Sequence, residues 1–133
     1  MNNYQLKHIL RDYPVTVCAA DQIRKQSGRF VISNTDTSKG PGEHWIAFYF
    51  PRRGPYELFD SLGNNPDTYD VGFEKILDQK YLMCTGQLQQ SSSNVCGLYC
   101  AYYVMQRSKG KPMRTIVNEF DPQQKRLNDH LIV

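Results

Sequence analysis

Cys96, His44, Asp60 and Gln90 bring a thiol, an imidazole, a carboxylate and a carboxamide, the groups that attack on an acyl carbon requires. Cys96 stands where the polar run Gln89-Gln90-Ser91-Ser92-Ser93-Asn94 gives way to the apolar run Cys96-Gly97-Leu98-Tyr99-Cys100-Ala101-Tyr102-Tyr103-Val104-Met105. That boundary reads as a helix N-terminus, where unpaired backbone N–H groups and the positive end of the helix dipole favour a thiolate. An imidazole from His44 completes the ion pair and returns a proton to the leaving group, while Asp60 holds the imidazole in one tautomer. Gln90 and the Cys96 backbone N–H are the candidates for an oxyanion hole, and Gly97 clears space for a close backbone approach. Each residue alone has a plainer reading: Cys96 as a small buried side chain, His44 as a strand-end histidine, Asp60 as a turn starter, Gln89 and Gln90 as polar turn residues. The set acquires meaning only from the elements that position it.

Two strand signals, His44 to Phe50 and Tyr56 to Asp60, flank Pro51-Arg52-Arg53-Gly54-Pro55 and read as an antiparallel hairpin. His44 opens the first strand and Asp60 closes the second, so pairing puts both at one edge of the sheet. Upstream, Leu6, Ile9, Leu10 and Tyr13 predict a helix over 3–13, capped by Asn2 or Asn3 and stopped by Pro14. Short strands follow at Val15 to Ala19 and Phe30 to Ile32, then a Ser/Thr/Gly/Pro loop from Ser33 to Gly42. Downstream, Tyr69, Phe73, Ile76 and Leu77 predict a helix over 67–79, and Tyr81 to Leu88 a third good strand. The helix beginning at Cys96 is expected to carry a cap at Ser93 or Asn94 and to end near Gly110. Asp121 and Pro122 announce a last helix reaching about Leu131.

The chain has 133 residues, 40% apolar and 22% charged, with nine Tyr, six Phe and one Trp. That suits one globular domain over 1–133 and excludes a disordered chain. The net charge of +3 is mild and scattered, which leaves nucleic-acid binding as a minor reading beside a solvated basic surface. No stretch is long and apolar enough to span a membrane, and residues 1–20 lack a signal-peptide core, so the chain reads as intracellular and monomeric. Four cysteines suit a reducing compartment, and their spacing with His8, His44 and His130 gives no metal pattern.

Read together, Gly42-Glu43-His44-Trp45-Ile46-Ala47-Phe48, Tyr56-Glu57-Leu58-Phe59-Asp60-Ser61-Leu62-Gly63 and Cys96-Gly97-Leu98-Tyr99-Cys100 resemble the motif blocks of the adenovirus-type (adenain) cysteine proteases. The order His, Asp, Gln, Cys is that of the clan they share with the SUMO-specific proteases, and the resemblance runs from about residue 5 to about residue 108. It implies an α+β, papain-like fold: a central, mostly antiparallel sheet flanked by helices, with the nucleophile at a helix N-terminus. It also implies Cys96 as nucleophile, His44 as base, Asp60 as third member, Trp45 as the aromatic following the histidine, and a Gln in the oxyanion hole. That Gln is the sixth residue before the Cys in SUMO proteases, here Gln90, and the seventh in adenain, here Gln89; Gln90 is taken here. The resemblance implies processing of viral capsid or core precursors at Gly-containing sites, in the host nucleus, the cytoplasm or the virion. A deubiquitinase or SUMO-type isopeptidase and a catalytically silent peptide-binding module are the rivals. No cofactor is required by the sequence; activation by a short peptide and by DNA is a family trait carried only by resemblance.

Overall fold

The computed structural model describes residues 1–40, 44–84 and 86–133. Gly42 and Glu43 of the first motif block, and Thr85 of the third predicted strand, lie outside them. Helix α1 spans Asn3–Ile9 and opens with a capping box: the Asn2 side chain accepts the Gln5 N–H, and Gln5 Oε1 accepts the Asn2 N–H. It is shorter than predicted, because the residue before Pro14 is pushed out of helical geometry and the chain turns at Leu10 to Tyr13.

Strands β1 (Val15–Cys18), β2 (Arg29–Asn34), β3 (Trp45–Phe50), β4 (Tyr56–Phe59) and β5 (Tyr81–Met83) form one sheet in that order. The three central strands are antiparallel, as expected, whereas β1 on β2 and β5 on β4 are parallel. Alternation divides the strands between two faces. Phe30, Ile32, Ala47 and Phe59 pack with α1 and with α3 (Cys96–Ser108). Val31, Ile46, Phe48 and Leu58 pack with Phe73 and Leu77 on the other face. Covering both faces explains why β2 and β3 read as nearly continuous apolar runs.

The segment predicted as a helix over 67–79 divides into a 3₁₀ turn, Pro66–Tyr69, and the short α2, Phe73–Ile76. Asp70 (φ 54°) and Gly72 (φ 83°) are left-handed and interrupt the run. Strand β5 is also shorter than predicted: past Cys84 the chain turns toward Ser61, whose carbonyl accepts the N–H groups of Leu88 and Gln89 at 2.8 and 3.1 Å. Helix α4 (Met113–Val117) was not anticipated, being one turn with Met113 and Ile116 buried. The last helix, α5, begins at Lys125 and not at Pro122, and runs to Ile132. Asp121 caps a turn instead, accepting the Gln123 N–H at 2.9 Å.

Candidate active site

His44 immediately precedes β3 and Asp60 immediately follows β4, and the register Ala47 to Phe59 brings both to one sheet edge. His44 Nε2 lies 2.8 Å from Asp60 Oδ1. Asp60 is buried, and its other contacts fix its orientation: Oδ1 accepts the Leu62 N–H at 2.9 Å and Oδ2 accepts the Tyr69 hydroxyl. The Tyr69 ring also stacks on His44, centroids 5.9 Å apart at 29°. Burial and the Asp60 carboxylate raise the Tyr69 phenol, so it stays a hydrogen-bond donor.

Cys96 is the first residue of α3 and is buried. Its Sγ accepts the Trp45 N–H at 3.4 Å, and the Gly97 N–H and the His44 imidazole both act on it to favour the thiolate. With Nε2 engaged by Asp60, the ring nitrogen left to serve the thiol is Nδ1. Ser93 and Asn94 do not cap α3, contrary to expectation; Val95 occupies the cap with no side-chain bond, and the Ser93 hydroxyl donates to the Gln90 carbonyl. With no side chain capping the helix, the Gly97 N–H is left to the sulfur.

Burial by itself pushes the Cys96 thiol up. The hydrogen bond and charge of His44, with the two backbone donors, more than offset this and bring it below its ordinary value. For His44, burial pushes the imidazole down, but Asp60 and Cys96 carry it up to about 9. The two shifts have the signs that favour a thiolate beside an imidazolium. The other cysteines move oppositely: burial pushes Cys18 and Cys84 up to about 11 and Cys100 well above its usual value. Among the described residues no cluster of His, Cys, Asp and Glu suits a metal.

A cleft of about 270 Å³ opens over these groups, with His44, Trp45, Tyr69, Gln89 and Cys96 in its walls. Of the two glutamines, Gln89 lines the cleft and Gln90 does not. The Gln89 side chain is held from both ends, Oε1 accepting the Ser61 hydroxyl at 2.6 Å and Nε2 donating to the Ser93 carbonyl at 3.0 Å. Gln90 turns away, its N–H and Nε2 each donating to Asp129 Oδ2 at 3.2 Å. Two adjacent glutamines in an irregular turn must diverge, and sequence spacing alone does not say which one faces the cleft. Trp45 Nε1 donates to the Met1 carbonyl at 3.0 Å, which fixes the indole in the cleft wall. Gly97 lies beneath it: a Cβ there would sit 3.4 Å from Trp45, Leu6 and Met1 side-chain atoms. Sequence reasoning passed over Tyr69, read as one more apolar position of a helix, and the hydroxyl that meets Asp60 carries no local signature.

No family model matches the chain. Among curated proteins it is similar to a cysteine protease of African swine fever virus from a Malawi tick isolate, 34% identical over 88 residues, 57% of this chain and 32% of that protein. The counterpart from a Namibian warthog isolate, called a SUMO-1 cysteine protease, is 33% identical over the same shares. The match thus spans about a third of the length of these relatives. Among solved structures, the crystal structure of a selenomethionine African swine fever virus protease superposes with a TM-score of 0.51 at 25% identity, over 77% of this chain and 43% of that one. The likeness read from the motifs, to the clan of adenain and the SUMO proteases, is borne out by these viral proteases, and so is the α+β fold.

Proposed function

We propose that the chain is a cysteine endopeptidase, with Cys96 as nucleophile, His44 as its acid and base, and Asp60 orienting His44. The observation that carries this is the Asp60–His44 Nε2 bond in a cleft whose wall also holds Cys96, the first residue of α3. In the first half-reaction the thiolate attacks the scissile carbonyl carbon. The oxyanion takes hydrogen bonds from the Cys96 N–H and the Gln89 carboxamide, which assumes the role expected of Gln90. The C–N bond breaks, the Nδ1 proton passes to the leaving amine, and a thioester remains. Water then attacks the thioester, giving its proton to His44, and release of the carboxylate restores the ion pair.

The substrate in this reading is a viral capsid or core precursor polypeptide cut at a Gly-containing site, with Trp45 beside its main chain; Gly97, buried beneath Trp45, serves packing and not the substrate approach expected of it. A second reading, a SUMO-like substrate, is favoured by the name one relative carries. From the resemblance we also carry the proposal that a short peptide or DNA raises the activity.

The test compares aminocoumarin released from a Gly-Gly peptide and from a SUMO-1 conjugate, in wild type and Cys96→Ser, with and without duplex DNA. Hydrolysis by wild type alone supports the protease; turnover of the conjugate with the peptide ignored selects the SUMO reading. Hydrolysis of neither, with Cys96 alkylated no faster than Cys18, would overturn both in favour of a peptide-binding module.

A further inference from the structure

Helix α5 is turned inside out with respect to burial. Its polar Asn128 and Asp129 are buried at 2% and 7% exposure, while Leu127 and Leu131 are 50% and 63% exposed. Apart from Ile132, which packs on the core, apolar burial does not account for this orientation; a helix placed by packing alone turns its leucines inward.

The buried polar pair has specific partners. Asn128 Nδ2 donates to the Leu88 carbonyl at 3.1 Å and the Asp121 carbonyl at 2.8 Å, and Asn128 Oδ1 accepts the Asp121 N–H at 3.3 Å. Asp129 Oδ2 accepts the Gln90 N–H and the Gln90 Nε2, each at 3.2 Å, and Oδ1 accepts the Tyr99 hydroxyl at 2.7 Å. Leu88 and Gln90 are the two neighbours of Gln89.

We propose that Asn128 and Asp129 are positioning residues for the oxyanion site, clamping the main chain on both sides of Gln89 so that its carboxamide stays in the cleft. This rests on the protease reading given above. It also gives the second glutamine a role: Gln90 anchors the turn to α5 and Gln89 meets the substrate. The C-terminal helix thereby becomes part of the catalytic architecture without touching the reacting atoms.

The test separates steps that need the oxyanion site from one that does not. A Gly-Gly-glycinal peptide forms a hemithioacetal with Cys96: the S–C bond forms, the carbonyl π bond breaks, and the resulting oxygen occupies the oxyanion site. Iodoacetamide alkylates the same sulfur by displacing iodide and needs no such site. In Asp129→Leu, which is close in shape and offers the two Gln90 donors no acceptor, aldehyde affinity is expected to fall about tenfold, with the iodoacetamide rate within about twofold of wild type. Tyr99→Phe removes one donor to Asp129 without changing buried charge, and is expected to shift the same ratio less. Aldehyde affinity and alkylation falling together, or Tm falling with the ratio unchanged in both variants, would reduce α5 to a structural role. A wild type that does not bind the aldehyde fails the protease reading itself, an outcome distinct from wild type and variants binding it equally.

Discussion

Cys96 and Cys100 lie one turn apart on α3, yet their thiols are driven in opposite directions, because only Cys96 meets an imidazole and unpaired backbone donors. Cys96 is therefore expected to be the cysteine alkylated fastest below the ordinary thiol pKa of about 8.5, read by peptide mass spectrometry. His44→Ala should abolish that advantage. The signs fix the shape of the pH–activity profile: activity rises as pH passes the lowered Cys96 pKa and falls as His44 deprotonates at about 9. The folding contribution of His44 has the same upper edge. Its pKa is raised in the folded chain, so that stabilisation is full below its ordinary value near 6.5 and is lost as pH climbs through about 9. Tyr69 acts one bond further out. In Tyr69→Phe, Asp60 loses a hydroxyl donor and His44 its fixed partner, so kcat is expected to drop about tenfold, with KM little changed, in steady-state assays.

At the level of elements, the site depends on two loops meeting backbone to backbone. Gly63 sits at φ 71°, and a Cβ there would lie 2.8 Å from the Gly86 carbonyl carbon and 2.9 Å from its oxygen. Only glycine combines that conformation with that approach. Gly63→Ala is expected to cost at least about 1–2 kcal/mol for the left-handed residue alone. It should also separate Ser61 from Leu88 and Gln89, so urea unfolding and turnover should both fall. The hairpin that carries His44 and Asp60 was legible because its strands are continuous and its Pro/Gly turn is unambiguous. The helix over 67–79 was not, because its apolar spacing is compatible with a helix while Asp70 and Gly72 adopt a backbone that ends one.

Across the whole molecule, α3 ties the two ends of the fold to different tasks. Its first residue is Cys96; near its last turn, Arg107 pairs with the buried Glu57 of β4 at 3.1 Å, Tyr103 donating to the same carboxylate at 2.6 Å. Arg107→Ala leaves that carboxylate buried without its cation. Because the guanidinium is partly exposed, the expected loss is at the lower end of the range for a broken buried pair, about 3 kcal/mol. Thermal unfolding should record it, while turnover per folded molecule stays near wild type, since the pair lies at the opposite end of α3 from Cys96.

The types and order of His44, Asp60 and Cys96, the apolar runs Phe30 to Ile32 and Trp45 to Phe50, and the polar-to-apolar boundary at Cys96 are local properties. The sequence by itself therefore determined the chemistry offered, the central sheet and the helix start. Which glutamine enters the cleft, that Tyr69 holds Asp60, and that a helix exposes two leucines to bury Asn128 and Asp129 depend on contacts between residues 9 to 40 positions apart. Such pairings leave no periodic mark on the chain, because each partner is satisfied only by what folding brings beside it. Tertiary structure alone decided them.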